Sequence, residues 1–132
     1  MMHASGEFDV TLAPRESQAG DDSSIGRLVL DKHYHGDLDG PSRGDMLSSQ
    51  TESTGAAVYV AIERFTGVLR GKRGSFVLAH LGTMTSKDQK LDVIIVPGSG
   101  TDELIGISGT MSIRIENKKH FYDVSYTLAD AH

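Results

Sequence analysis

The chain is built from short segments in which apolar and polar residues alternate, with glycines between them. In EFDVTL, Phe8, Val10 and Leu12 fall on one face and Glu7 and Asp9 on the other, as in a half-buried strand. Similar segments begin near residues 26, 42, 57, 75, 91, 106 and 120, and no window has a sustained helical period. The pattern therefore predicts an all-β protein of about eight strands.

The connections between these segments are too short for crossover helices, so neighbouring strands should be antiparallel. An antiparallel sheet of this size hides its edges best by closing on itself. We therefore predict a single eight-stranded antiparallel β-barrel over residues 1–132, with a mobile, polar loop near residues 13–24. The interior of such a barrel is just wide enough for packed side chains or for one small ligand.

The segment RIENKKHF sets the register of one hairpin. A two-residue turn at residues 117–118 pairs Ile115 with His120 and Ile113 with Tyr122. The apolar residues of both strands then share one face, which is the pattern expected of a hairpin with one buried face.

A second hairpin is predicted in LRGKRGSF, with its turn at residues 72–73. This turn places Phe65 opposite His80 and Glu63 opposite Gly82. Glu63 and His80 become diagonal neighbours on one face of the sheet. Gly82 leaves space beside them in which a substrate would fit.

The glycine-rich stretch VPGSGTDELIGISG, residues 96–109, follows an apolar strand and invites comparison with nucleotide-binding loops. The dinucleotide fingerprint needs a third glycine where this chain has Glu103, and a phosphate-binding loop needs a lysine, which the stretch lacks. The residues that follow alternate like a strand and do not open a helix. We therefore interpret the stretch as a corner that closes one end of the barrel and contains a single helical turn near residues 101–104.

Four stretches in this sequence are similar to a bacterial family, the domain of unknown function 3224 (DUF3224). They are HGDLDG, ERFTGVLRGKRGSFVLAHLGT, VPGSGTDELIGISG and YDVSYTL, and they occur in the order found in the family. Members resemble small barrels of the allene oxide cyclase type. The resemblance therefore implies an allene-oxide-cyclase-like (calycin-like) barrel, and it carries no established activity.

Glu63 and His80 are the candidate catalytic residues. A carboxylate beside an imidazole orients the ring and raises its basicity, as a general base requires. The candidate ligand-binding residues are the aromatic side chains expected near this pair, namely Tyr59, Phe65, Phe76 and Tyr126. We predict that the lumen binds a small, mainly apolar molecule, and that any enzyme of this kind would be a cofactor-free isomerase or cyclase.

Two other hypotheses remain open. Both faces of the strand over residues 57–69 are apolar, so one can cover the lumen while the other forms the interface of a homodimer, and an inert barrel would then act as a scaffold. A metal-dependent, cupin-like enzyme would use Asp31, His33, His35 and a carboxylate such as Asp39. These residues lie opposite the apolar face of their strand, so we expect the histidines to point to solvent and predict no metal site.

Composition and the N-terminal sequence limit the binding partners and the cellular location that we expect. The formal net charge is −5, whereas proteins that bind nucleic acids are more often basic. The absence of cysteine excludes disulfides and thiolate chemistry. The start MMHASGEFDV lacks the features of a signal peptide, and no apolar run approaches the roughly 20 residues of a membrane-spanning helix. We therefore expect a cytoplasmic protein without nucleic-acid or membrane partners.

Overall fold

The computed structural model describes residues 1–16, 18–21, 24–51 and 53–128. Eight strands pair in chain order and close into an antiparallel barrel, in which β8 returns to β1. The strands are β1 (Met2–Pro14), β2 (Ile25–Gly36), β3 (Leu38–Thr51), β4 (Ala56–Leu69), β5 (Lys72–Met84), β6 (Gln89–Ile95), β7 (Ser108–Glu116) and β8 (Lys119–Thr127). The predicted fold is confirmed. Within the described ranges, no helix is long and apolar enough to cross a membrane.

Strand β4 shows how alternation sorts the side chains. Ala61, Glu63 and Phe65 are buried in the lumen, while Val60 and Ile62 are exposed on the outer surface. The sequence left the inward face of this strand undecided, because both faces are apolar. The structure places the face that carries Glu63 inside the barrel.

One end of the lumen, here called the closed end, is filled by large side chains. Among its fully buried residues are Tyr34, Leu38, Phe65, Leu69 and Phe76. The Phe65 ring packs 5.2 Å from that of Phe76 and edge-on to that of Tyr34 at 5.8 Å, measured between ring centres. Because each fully buried side chain of this size stabilises the fold by about 2 kcal/mol, this end supplies much of the core energy.

The stretch of residues 96–109 covers the closed end, as predicted. Leu104 and Ile107 are fully buried in the core there. The hydroxyls of Ser99 and Thr101 each accept a hydrogen bond from a backbone N–H group of β5, both at 3.0 Å. The predicted helical turn is a short 3-10 helix, Asp102–Leu104, and Thr101 binds β5 instead of capping that helix through its side chain.

The β7–β8 hairpin has the predicted register. Residues 117 and 118 form its turn, with φ angles of 50° and 66°, which suit the two-residue turns of right-handed twisted hairpins. Ile115 pairs with His120 and Ile113 with Tyr122. The prediction from RIENKKHF is confirmed.

The predicted register of the β4–β5 hairpin is wrong. Its turn lies at residues 70 and 71, so Phe65 pairs with Phe76 rather than with His80. The observed partner of each β4 residue therefore lies four positions earlier on β5 than predicted. Since four is an even number, every side chain stays on the face that was predicted for it.

Gly74 explains the error. A glycine flanking a two-residue loop looks like part of the turn, but Gly74 lies inside β5. A Cβ atom there would collide with the carbonyl oxygen of Thr101 in the stretch that covers the closed end. The turn itself uses Arg70 and Gly71, with φ angles of 47° and 87°.

The loop predicted near residues 13–24 begins later than expected. Strand β1 extends to Pro14, so the first two residues of that segment are paired with β2. Residues 17, 22 and 23 lie outside the described residues. The mobility of this loop stays a prediction.

Candidate functional site

A buried polar cluster lies in the middle of the lumen, around the carboxylate of Glu63. Its Oε2 atom accepts hydrogen bonds from Lys32 Nζ at 2.8 Å and His80 Nε2 at 2.7 Å. Its Oε1 atom accepts from the Tyr34 hydroxyl at 2.6 Å and the Ser42 hydroxyl at 2.8 Å. The four acceptor positions of the carboxylate are therefore all occupied.

Four neighbouring strands supply this cluster. Lys32 and Tyr34 lie two residues apart on β2 and so point the same way, while β3, β4 and β5 each contribute one residue. The Lys32 side chain reaches across β3 to Glu63. A Cβ atom at Gly44, the partner of Glu63 on β3, would collide with the backbone of β4, so glycine permits the close approach of the two strands.

The electrostatics of the cluster keep Glu63 ionised. Burial alone would raise the pKa of this carboxyl, but the hydrogen bond from His80 and the charge of Lys32 outweigh burial and lower the pKa to about 2. An ionised carboxylate can only accept hydrogen bonds. His80 therefore carries a proton on Nε2, which it donates to Glu63.

Aromatic rings surround the ammonium group of Lys32. Its Nζ atom lies 4.7 Å from the centre of the Phe8 ring and donates a hydrogen bond to the Tyr34 hydroxyl at 3.3 Å. Burial, the charge of Glu63 and the hydrogen bond to it raise the pKa of Tyr34 well above its usual value. Tyr34 thus stays a neutral donor, and the charges of Lys32 and Glu63 compensate each other inside the barrel.

Toward the other end, here called the open end, the lumen widens into a cavity of about 760 Å³. Six of its lining residues on different parts of the wall are Leu28, Met46, Ser48, Tyr59, Leu91 and Ile113. Apolar side chains predominate among the inward-facing ones, with hydroxyl groups between them. Such a wall is typical of a pocket for a small molecule.

Tyr59 and Gly82 connect the cavity with the polar cluster. Both line the cavity, and Gly82 is the next inward residue after His80 on β5. The Tyr59 ring lies directly on Gly82, where a Cβ atom would collide with it. Burial and then the charge of Glu63 raise the pKa of Tyr59, so its hydroxyl is within electrostatic reach of the cluster.

A family model described as a protein of unknown function (DUF3224) matches residues 4–126. This chain belongs to the DUF3224 family. A crystal structure of a DUF3224 protein of unknown function from Shewanella oneidensis MR-1 is 45% identical, with a TM-score of 0.90 over 99% of both chains. A search of curated proteins found no match.

The resemblance seen in the sequence of this DUF3224 protein is thereby confirmed. Its predicted cytoplasmic location, and the prediction that neither nucleic acid nor a membrane is its partner, stay predictions.

The DUF3224 barrel brings together only some of the predicted site residues. Glu63 and His80 are in hydrogen-bond contact but do not line the cavity, whereas Tyr59 lies on the cavity wall. Phe65 and Tyr126, like Phe76, are buried toward the closed end and do not line the cavity. Ligand contact by these three residues stays a prediction.

The space predicted beside Glu63 is absent. Gly82 pairs with Tyr59, whose ring covers it, and Glu63 pairs with Leu78. The wrong turn in the β4–β5 hairpin produced this error. Any ligand of the DUF3224 barrel would therefore meet Tyr59 before it reached Glu63.

Sequence reasoning missed three members of the cluster, Lys32, Tyr34 and Ser42. The inward face of β2 contained a signal, since Lys32 stands between Leu30 and Tyr34 at alternate positions. A lysine on the apolar face of a strand needs a buried partner, because an unpaired charge there is very costly. Ser42 gave no comparable signal, as serine is common on both faces of strands.

The histidines of β2 point outward from the DUF3224 barrel, as predicted. His35 Nε2 lies 2.9 Å from Asp9 Oδ2, and His33 Nε2 lies 3.9 Å from Asp39 Oδ1. Asp31 approaches an arginine of β3 instead. Among the residues that the structure describes, no group of three or more His, Cys, Asp or Glu side chains is placed to hold a metal ion.

Proposed function

We propose that this barrel binds a small, mainly apolar molecule in the open half of its lumen. The observation that carries the proposal is the cavity of about 760 Å³ next to a buried polar cluster. Ligand pockets typically measure roughly 300–1,000 Å³ and combine apolar walls with a few polar groups. The packed closed end supports this function, because it stabilises the barrel without filling the open half.

A cofactor-free isomerisation or cyclisation is the reaction class that the arrangement supports. The cavity would hold a flexible molecule in one conformation, which removes much of the entropic barrier to an intramolecular step. Glu63 and His80 remain the proposed catalytic pair, in which Glu63 positions the ring and the imidazole of His80 moves a proton. Their hydrogen bond of 2.7 Å fixes the orientation of the ring.

Binding can be tested with the neutral apolar dye N-phenyl-1-naphthylamine, whose emission rises in apolar surroundings. The chain has no tryptophan, so the dye signal is free of indole emission. Ser48→Phe places a ring inside the cavity and should weaken dye binding by roughly tenfold or more, since it fills space that the dye needs. Dye titrations by fluorescence measure the dissociation constants.

The matched control is Ser49→Phe, because Ser49 is the next residue of β3 and points to the outside. This variant should bind the dye like the original protein. Equal losses in both variants, or no dye binding by the unaltered barrel, would count against a ligand site in the lumen. Circular dichroism spectra confirm that both variants keep the barrel fold.

We also propose that the outer surface of β3 to β6 pairs with a second copy of the chain. Six large apolar side chains are exposed there: Leu47, Val58, Val60, Ile62, Leu81 and Ile94. Cross-strand pairing makes this patch continuous, since Val60 lies between Leu47 and Leu81. The rim carries both the basic Arg64 and the acidic Asp45 and Asp92. Because both signs of charge are present, two identical surfaces can meet without net repulsion between their rims.

Sedimentation velocity measures the oligomeric state directly. We expect a dimer, and we expect Ile62→Glu to convert it to a monomer, because the patch would then bury an unpaired charge. Thr11→Glu adds the same charge to an exposed position of β1 and should leave the dimer intact. A monomer at every concentration tested, or equal effects of the two variants, would refute this interface.

A further inference from the structure

We propose that His80 Nδ1 and the Tyr59 hydroxyl form an acceptor–donor pair between the polar cluster and the cavity, and that this pair acts on small molecules with an enolisable carbonyl group. The inference rests on the proposed ligand-binding function and names the substrate class of that site. Three observations support it. Within the described residues, one nitrogen of His80 and the hydroxyl of Tyr59 have no hydrogen-bond partner, and the other polar groups of the cluster are already hydrogen-bonded to one another.

The imidazole of His80 has one nitrogen available. Nε2 donates its proton to the ionised Glu63, so in the neutral ring Nδ1 carries the lone pair. Nδ1 makes no hydrogen bond to any residue that the structure describes. The described part of the chain also contains no buried side-chain nitrogen or oxygen without a partner, so Nδ1 must retain access to solvent. His80 as a whole is 6% exposed.

The hydroxyl of Tyr59 is the matching donor. Tyr59 lines the cavity, and its hydroxyl makes no hydrogen bond within the described ranges of the chain. Ala61, the next inward residue of β4, pairs with His80, and the Tyr59 ring lies on Gly82. Tyr59 and His80 are therefore diagonal neighbours, whose Cα atoms are roughly 7–8 Å apart in such pairs. The proposed substrate would place its carbonyl oxygen at the Tyr59 hydroxyl and the neighbouring carbon at His80 Nδ1.

The other polar groups of the cluster are already engaged. Glu63 has no free acceptor position and is fully buried, so it is a positioning residue for the His80 ring. The Lys32 ammonium and the Ser42 hydroxyl both donate to Glu63 and are poor nucleophiles in that state. The cluster therefore supports proton transfer by His80 rather than covalent catalysis.

The step balances without any further reagent. Nδ1 takes the proton from the carbon next to the carbonyl group, and the C–H electron pair becomes the carbon–carbon double bond of an enolate. The carbonyl electron pair moves onto oxygen, which the Tyr59 hydroxyl stabilises by donating a hydrogen bond. The imidazolium then returns its proton to the same carbon or to the far end of a conjugated system, which isomerises the substrate.

Hydrogen exchange in heavy water tests this step with 2-octanone as the probe. Proton NMR follows the loss of the signals next to the carbonyl group, and displacement of N-phenyl-1-naphthylamine reports binding of the ketone. We expect the barrel to exchange these protons at least roughly 100-fold faster than buffer at the same pH, in line with general base catalysis. His80→Gln should return the rate to that of buffer, whereas His35→Gln, at an exposed histidine, should leave it unchanged.

Two further variants divide the roles within the site. Tyr59→Phe should slow exchange by roughly 10-fold or more, as does the loss of one hydrogen bond to a developing oxyanion. Glu63→Gln should lower the rate at saturating 2-octanone without changing dye affinity, because it disturbs the orientation of the ring and not the cavity. Dye affinity also confirms that each variant keeps its lumen intact.

The possible outcomes separate the two proposals. If 2-octanone displaces the dye without any exchange, or if exchange persists in His80→Gln, the assignment of His80 is overturned and ligand binding stands. If 2-octanone does not displace a dye that binds in the lumen, the substrate class is wrong. If no dye binds at all, the proposed function itself fails.

Discussion

Replacing Glu63 by glutamine should lower the free energy of unfolding by on the order of 3–5 kcal/mol. The substitution keeps the shape of the side chain but removes the charge that compensates Lys32, which is only 8% exposed. Lys32, His80, Tyr34 and Ser42 all donate to this carboxylate. A glutamine offers one oxygen to four donors and directs an N–H group at some of them. Urea denaturation at neutral pH measures the loss.

The double variant Lys32→Met/Glu63→Gln separates charge from shape. It removes both members of the buried ion pair, so it should be more stable than Glu63→Gln alone by about 1–3 kcal/mol. The matched surface control is Glu116→Gln, whose carboxylate forms an exposed ion pair with Arg114 at 2.9 Å. Exposed pairs contribute little, so this control should change stability by less than about 1 kcal/mol. Equal losses for Glu63 and Glu116 would contradict the stabilising role of the cluster.

Acid should destabilise the barrel through the same carboxylate. The pKa of Glu63 is about 2 in the folded protein, against a usual value of 4.5. Above pH 4.5 the group is ionised in both states, and its full contribution is present. As the pH falls from about 4.5 to about 2, the unfolded chain takes up the proton first, and stability is lost. A difference of this size corresponds to on the order of 3 kcal/mol.

The measurement compares the original protein with the Lys32→Met/Glu63→Gln variant over a series of pH values. Most other carboxyl groups titrate alike in both proteins, so their effects cancel in the difference between the two free energies of unfolding. This difference should be flat above about pH 4.5 and should shift against the original protein by about 3 kcal/mol as the pH approaches 2. A constant difference across that window would show that Glu63 does not have a depressed pKa.

The β7–β8 hairpin shows which part of this fold is encoded locally. Its turn residues, Asn117 and Lys118, both adopt positive φ angles, and the alternation of the flanking strands continues without interruption to either side. The turn and the hydrophobic pattern therefore specify the same register. The sequence was sufficient to predict this hairpin, because each signal lies within a few residues of the contacts it determines.

The β4–β5 hairpin shows the opposite case. Gly74 is required by contact with a stretch about 25 residues further along the chain, and no pattern within the hairpin reveals that contact. The candidate pair survived the wrong register only because the error was an even number of positions. Glu63 and His80 thus stayed on one face and came into contact.

The cluster and the cavity depend on parts of the chain that alternation cannot relate to one another. Lys32 reaches Glu63 from two strands away, and periodicity describes only one strand at a time. Alternation also says which residues face inward but not how they divide the lumen. Large rings such as Phe65 collect at one end, while small residues such as Ser48 and Gly82 lie on inward positions toward the other.

The stretch of residues 96–109 blocks the closed end of the barrel, so the cavity opens to solvent at the other end. A ligand of the proposed kind would then enter and leave by the same route, so its leading group would pass Tyr59 on the way to His80 and its remaining part would trail toward solvent. Under the proposed activity, product would depart before the next substrate entered, and a long polymer would not thread through the barrel. The proposed reaction would therefore involve the terminus of one ligand molecule at a time.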